Sequence, residues 1–441
     1  MKKNYRFPEN FLIGSATAAH QVEGGNLNCD FWAEEHAQGT PYTEKSGDAC
    51  DHYHRYRDDI SLMASLGLKS YRFSIEWARV EPEEGEFSAA ELEHYHDMVR
   101  ACHENGMKAI VTLHHFTSPR WLMRRGGWKN PDTARLFGRY VRYVLAGFGE
   151  EIDYIVTMNE INIATMLKRM FADLNYVPPV GVDAAKWTAP AWREDAARLC
   201  GTTVDNYFTI HMASEPEHIA IIRKAHHLAV EAARKMAPGV PVGVSLSLSD
   251  IQAAPGGEQK AAEIWQGIFG QYKDIIMEGD FIGVQNYTRE IYDREKQLPN
   301  PKDAETTLCN YEWYPDGLAH VLRRVWQETE GKKPLVVTEN GAAVADDSRR
   351  EAYLQKALAG VGDCLEEGIK ILGYTCWSTF DNFEWSMGYG PRFGLIAVDR
   401  NTQRRRVKES ARFLGRVASR LQLVGAEEEA EEPEGVPSFA L

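Results

Sequence analysis

The chain has 441 residues, 44% hydrophobic and 26% charged, an ordinary balance for a globular protein and enough chain for a large core. Its net charge of −14 argues against nucleic acid or any polyanion as a partner. Seven scattered Cys with no CxxC pair, a short basic start with no signal-type apolar run behind it, and no apolar stretch long enough to span a bilayer predict a cytoplasmic protein with no membrane partner.

Eight short apolar runs recur in order: FLIGSATAA (11–19), SYRFSIEW (70–77), AIVTLHH (109–115), YIVTMNE (154–160), VGVSLSL (242–248), FIGVQNY (281–287), PLVVTEN (334–340) and ILGYTCWS (371–378). Amphipathic segments such as CDHYHRYRDDISLMASLG separate them. Apolar strands alternating with helical patterns predict βαβ units and a parallel sheet. Eight such units favour closure, so the fold class expected is α/β, a single-domain (β/α)8 TIM barrel over residues 1–424. The first run is the weakest, being rich in Ala and Gly. The longest connection, Ile161 to Pro241, ends in a clear helix (IAIIRKAHHLAVEAARKM) and begins with a turn-rich stretch, NYVPPVGVDAAKWTAPAW, expected to shape a cleft. The segment 425–441 holds six Glu and no Lys or Arg and is expected to be a disordered acidic tail; without it the net charge is −8. Nothing in the sequence specifies an oligomeric state.

The runs end in polar or aromatic groups, and barrels of this kind place their active sites at the C-terminal ends of the strands. Two endings stand out. Glu160 closes the fourth run as TMNE and Glu339 closes the seventh as VTENG, so both carboxylates point into one cleft. Paired carboxylates suit acid/base and nucleophilic work at a glycosidic bond, provided one keeps its proton and the other stays ionised. Arg72, inside an otherwise apolar strand, is a plausible cation beside Glu339, and Tyr287 a plausible hydrogen-bond donor to it. His114 points away from His115 by strand alternation and reads as structural, and the helical His226 and His227 read as packing or surface residues. The strand ends offer no convincing cluster of metal-ligating residues, so no metal and no cofactor is expected.

With these motifs in place, and with WSTFDNFEW and RFGL further on, the chain resembles glycoside hydrolase family 1 from FLIGSATAAHQVEG to RFGLIAVD. The resemblance implies a retaining β-glycosidase acting on terminal glucose, galactose or fucose-type residues of a small carbohydrate substrate. Glu339 would be the nucleophile and Glu160 the general acid/base. It also implies glycone contacts from Gln21, His115, Asn159, Glu384 and Trp385, with Trp377 as the platform under the ring. Three departures bear on specificity. Ile161 stands where the family usually has Pro, Phe116 where it commonly has Trp, and Gln285, a candidate substrate contact, where it usually has Asn. Trp121, on the loop after the third run, either stacks on the aglycone or packs internally. Three alternatives remain: transglycosylation by the same residues, a 6-phospho-β-glycosidase, which Glu384 disfavours, and a non-catalytic sugar-binding barrel.

Overall fold

A computed structural model describes residues 3–172, 186–187 and 190–424. The acidic tail and most of the turn-rich stretch 175–192 lie outside the described residues. Eight parallel strands close into a barrel: β1 (Leu12–Ala16), β2 (Ser70–Ser74), β3 (Lys108–Thr112), β4 (Tyr154–Val156), β5 (Val242–Ser247), β6 (Phe281–Asn286), β7 (Leu335–Asn340) and β8 (Ile371–Trp377). They pair in chain order, and β8 returns to β1. Seven of them lie wholly within one of the apolar runs of the sequence; β3 begins one residue earlier, at Lys108. A long helix follows each strand: α1 (His52–Ser65), α2 (Ala89–Glu104), α3 (Thr133–Phe148), α4 (Pro216–Met236), α5 (Glu258–Ile268), α6 (Gly317–Glu328), α7 (Asp347–Glu366) and α8 (Glu409–Arg420). No described helix is long and apolar enough to cross a membrane.

Strand alternation divides the core in two. Ile110, Val156, Phe281 and Val336, with Leu12, Tyr154 and Leu372 against them, fill the floor of the barrel. Their strand neighbours, such as Val111, Ile155 and Val337, face outward into the large cluster shared with the helices. Above the floor the inward positions turn polar: Arg72 on β2, Thr112 on β3, Ser245 on β5. Gly14 explains why the first run looked weak. A Cβ there would lie 1.9 Å from the Ser70 carbonyl oxygen on β2, so glycine is what allows these strands to pair.

Two local irregularities aim the carboxylates. In β7, Val337 pairs with Val284 but Glu339 pairs with the very next residue, Gln285, so β7 carries one extra residue, a bulge. Strict alternation would group Glu339 with the outward Leu335 and Val337; the bulge turns it inward instead. Glu160 lies beyond the last paired residue of β4 with φ of 42°, a left-handed conformation that a non-glycine residue adopts at a cost. Backbone bonds hold it there: Asn159 N–H donates to His114 O at 2.8 Å and Ile161 N–H to Ser245 O at 3.2 Å.

Candidate active site

A cavity of about 640 Å³ opens at the C-terminal ends of the strands, and both Glu160 and Glu339 line it. Glu339 is held from two sides. Arg72, wholly buried, donates from Nη1 to its Oε1 at 2.6 Å, and Tyr287 donates its hydroxyl to Oε2 at 2.6 Å. The guanidinium is itself fixed by Thr112 Oγ1 at 3.1 Å, the Thr338 carbonyl at 3.1 Å and Asn159 Oδ1 at 2.6 Å.

Burial pushes both carboxyl groups above the ordinary carboxylate range. For Glu160 the negative charge of Glu339 adds to burial, and the proton is held far above the usual value. For Glu339 the rise from burial is opposed by the Arg72 charge and by the hydrogen bonds from Tyr287 and Arg72. Glu339 therefore ionises first, and Glu160 keeps its proton beside it.

Asn159 Oδ1 accepts from Arg72, from Gln285 Nε2 at 2.8 Å and from Ser245 Oγ at 3.1 Å. Its amide nitrogen lies 3.1 Å from His115 Nε2. An amide nitrogen can only donate, so His115 Nε2 is the acceptor and the imidazole is neutral. Burial, helped by the Arg72 charge, pushes His115 well below its ordinary value in the same sense. Among the described residues the amide nitrogen of Asn159 has no second hydrogen-bond partner. Glu384 also lines the cavity; Gln21 Nε2 at 3.2 Å and Asn382 Nδ2 at 3.1 Å donate to its Oε2. Burial raises Glu384 to about 8. Gln21 Oε1 is buried with no hydrogen-bond partner among the described residues. Trp377 and Trp385 line the same cavity, with the His115 ring stacked near both at 5.8 and 6.1 Å.

Two expected contacts are placed elsewhere. Gln285 is fully buried and is not among the residues that line the cavity; its amide donates to Asn159 and Ser245, and its side chain also hydrogen-bonds Glu339. Trp121 is 2% exposed, donates its indole N–H to the Glu81 carbonyl at 2.8 Å and meets Trp77 edge-on, so it packs and does not stack on an aglycone. His114 contacts Ser118 Oγ and the Trp128 ring, His226 the Thr157 hydroxyl, and His227 pairs with Glu278. Among the described residues no group of three His, Cys, Asp or Glu is arranged to hold a metal.

Sequence reasoning missed other parts of the wall. Glu34, on the short helix Asp30–His36, is buried, raised to about 7 by burial, and held by the hydroxyls of Tyr42 at 2.9 Å and Tyr207 at 3.1 Å. Nothing around Glu34 in the sequence marks it, because it follows no strand. The helix Ile163–Ala172 supplies Ile163, Met166, Leu167 and Met170. Here a signal existed: the i, i+3, i+4, i+7 spacing of these apolar residues directly after Glu160.

The family model for glycosyl hydrolase family 1 matches residues 3–307 and 269–422. The crystal structure of β-glycosidase BGL167 superposes with a TM-score of 0.87 at 42% identity, covering 98% of this chain and 100% of that one. A β-glucosidase of Agrobacterium sp. is 31% identical over 471 residues, covering 94% of this chain and 95% of the relative. The β-glucosidase of Thermotoga maritima in complex with glucoimidazole gives a TM-score of 0.78 at 26% identity, over 94% and 99% of the two chains.

Proposed function

Because the chain belongs to glycosyl hydrolase family 1 and is a β-glycosidase, we propose that it removes terminal, unphosphorylated glucose, galactose or fucose-type residues with net retention at the anomeric carbon. The observation that carries this reading is the asymmetry of the two acids. Glu339 is clasped by Arg72 and Tyr287, while Glu160 shares the cavity with no cation among the described residues bonded to it.

In the first step a Glu339 carboxylate oxygen attacks the anomeric carbon as the bond to the leaving oxygen breaks, and Glu160 gives that oxygen its proton. Once Glu339 is esterified its charge is gone. That charge is the second cause, after burial, of the high Glu160 value, so the affinity of Glu160 for a proton falls at this point. The resulting carboxylate takes a proton from water as the water oxygen attacks the anomeric carbon, which frees the sugar and restores Glu339. An alcohol entering in place of water would give transglycosylation. The free N–H of Asn159 is the donor proposed for the 2-hydroxyl, with Gln21, His115, Glu384 and Trp385 around the remaining hydroxyls and Trp377 beneath the ring. A 6-phosphoglycone is disfavoured because the acid Glu384, bound by the neutral amides of Gln21 and Asn382, occupies the rim where a phosphate would need cations. The cytoplasm is the compartment proposed, and seven buried, unbridged thiols support a reducing one.

The test is turnover of aryl β-glycosides by the wild type, then Glu339→Ala with and without azide. Activity should fall by about 10⁴-fold or more and return with azide as the α-glycosyl azide. A β-azide product, or a wild type inert to every aryl β-glycoside, counts decisively against retention through Glu339.

A further inference from the structure

Glu160 follows β4 in a left-handed backbone conformation, and strand β5 holds it there. Its N–H donates to Ser245 Oγ at 3.2 Å, and the next N–H, that of Ile161, donates to the Ser245 carbonyl at 3.2 Å. A proline at 161 would have no N–H for the second bond. Ser247 lies two residues further along β5, so it shares the inward face with Ser245 and stands one pleat nearer the mouth. It lines the cavity, and its hydroxyl hydrogen-bonds the Glu160 carboxyl. Asn162 fixes the backbone beneath that hydroxyl at two atoms. Its amide nitrogen donates to the Ser247 carbonyl at 2.6 Å, and its oxygen accepts the Ser247 N–H at 3.0 Å. The same nitrogen donates to the Ile268 carbonyl at 2.9 Å, which ties this clamp to the end of α5.

We propose that Ser247 is a positioning residue for the acid/base, its hydroxyl holding the Glu160 carboxyl in both protonation states that the reaction needs. The proposal rests on the reading of Glu160 as the group that gives a proton in the first step and takes one in the second. A carboxylic acid donates through its own proton, whereas a carboxylate only accepts. A hydroxyl has one donor and two acceptor lone pairs and turns to suit either; a backbone N–H could serve as donor alone. Ser247 Oγ accepts from the acid before the leaving oxygen is protonated, and donates to the carboxylate afterwards. The second bond is charge-assisted and the stronger of the two. Ser247 therefore favours release of the proton, against burial and the charge of Glu339, and keeps the carboxylate in place while water enters.

The experiment compares Ser247→Ala with the wild type on two β-glycosides of the glycone that the aryl panel selects. With the p-nitrophenyl substrate, kcat/KM is followed against pH. Loss of a donor that favours the charged form should move the alkaline limb upward. With the 2,4-dinitrophenyl substrate the leaving group departs without a proton, so kcat reports the second step, in which Glu160 is the base. That kcat should fall roughly 10-fold in the variant, the scale of one hydrogen bond to a charged group. Damage confined to the fold would lower kcat and leave the limb where it was. An alkaline limb that stays or moves downward, or a wild-type kcat on the dinitrophenyl substrate, overturns the proposal while Glu160 keeps its role. An alkaline limb that survives unchanged in Glu160→Gln, or a wild type that cleaves neither substrate, removes the reading of Glu160 and the proposal with it.

Discussion

Arg72 binds both Glu339, the proposed nucleophile, and Asn159, the amide proposed to face the sugar, so one buried guanidinium fixes a charge and a geometry together. Tyr287 shares the first task only. A hydrogen bond to a charged group contributes about 1.5–3 kcal/mol, so Tyr287→Phe should lower kcat/KM roughly 10- to 100-fold. It should also move the acidic limb of the pH profile upward, because the carboxylate loses a donor that favours ionisation. An acidic limb that stays in place would assign Tyr287 to substrate contact. In the proposed mechanism the alkaline limb is that of Glu160, whose proton is retained partly through the charge of Glu339. Replacing Glu339 by Gln removes that charge, so the Glu160 value should fall; difference infrared spectra of the carboxyl stretch against Glu160→Gln would follow it. An unchanged or higher value would mean that burial alone sets it. The convergence of Glu160 and Glu339 on one cavity was legible in the sequence because each closes an apolar run, where a solvated glutamate is out of place. Gln285 was not legible as a positioning residue, since a strand-end amide looks the same whether it meets substrate or holds Asn159. Trp121 was ambiguous for a related reason: an indole serves equally as platform or packing until its N–H partner is known.

At the scale of elements, the parallel strands could be read because strands buried on both faces appear as continuous apolar runs. Two features escaped that reading. The bulge in β7 leaves no mark in composition, yet it reverses the parity by which one would decide where Glu339 points. The helix Ile163–Ala172 is hidden within an irregular connection because the turn-rich residues beyond it dominate the segment. Gly14 runs the other way, as a weakness in the sequence that the structure turns into a requirement. With a Cβ 1.9 Å from the Ser70 carbonyl oxygen, Gly14→Ala must push β1 from β2 along backbone that cannot rotate aside. The expected cost is about 2–4 kcal/mol, at the upper end for overpacking, with a matching loss in resistance to urea. Thr17, just past β1, donates its N–H to the Arg72 carbonyl, so the same shift should disturb the site and lower kcat as well. Wild-type stability in this variant would show that β1 has slack which its close pairing does not suggest.

Across the whole molecule, the barrel mouth works against the stability of the barrel. Glu160, Glu339, Glu384 and Glu34, which line that mouth, all retain protons above the ordinary range because burial penalises their charge. A carboxyl whose folded value is raised binds its proton more tightly folded than unfolded. Its contribution to stability is complete below the unfolded value and drains away as pH climbs to the folded one. For Glu384 that window runs from 4.5 to about 8, and the loss at its upper end is at most roughly 4 kcal/mol. Glu384→Gln removes the ionisation while keeping an oxygen to accept from Gln21 and Asn382. It should therefore be more stable than the wild type at pH 8, by about 2–4 kcal/mol in urea unfolding, and nearly equal to it at pH 5. It should also lose at least 100-fold in kcat/KM, because the acid proposed to recognise the glycone rim is gone. A stability gain of the same size at both pH values would trace the effect to packing, and would remove the argument that this mouth trades stability for the acids it needs.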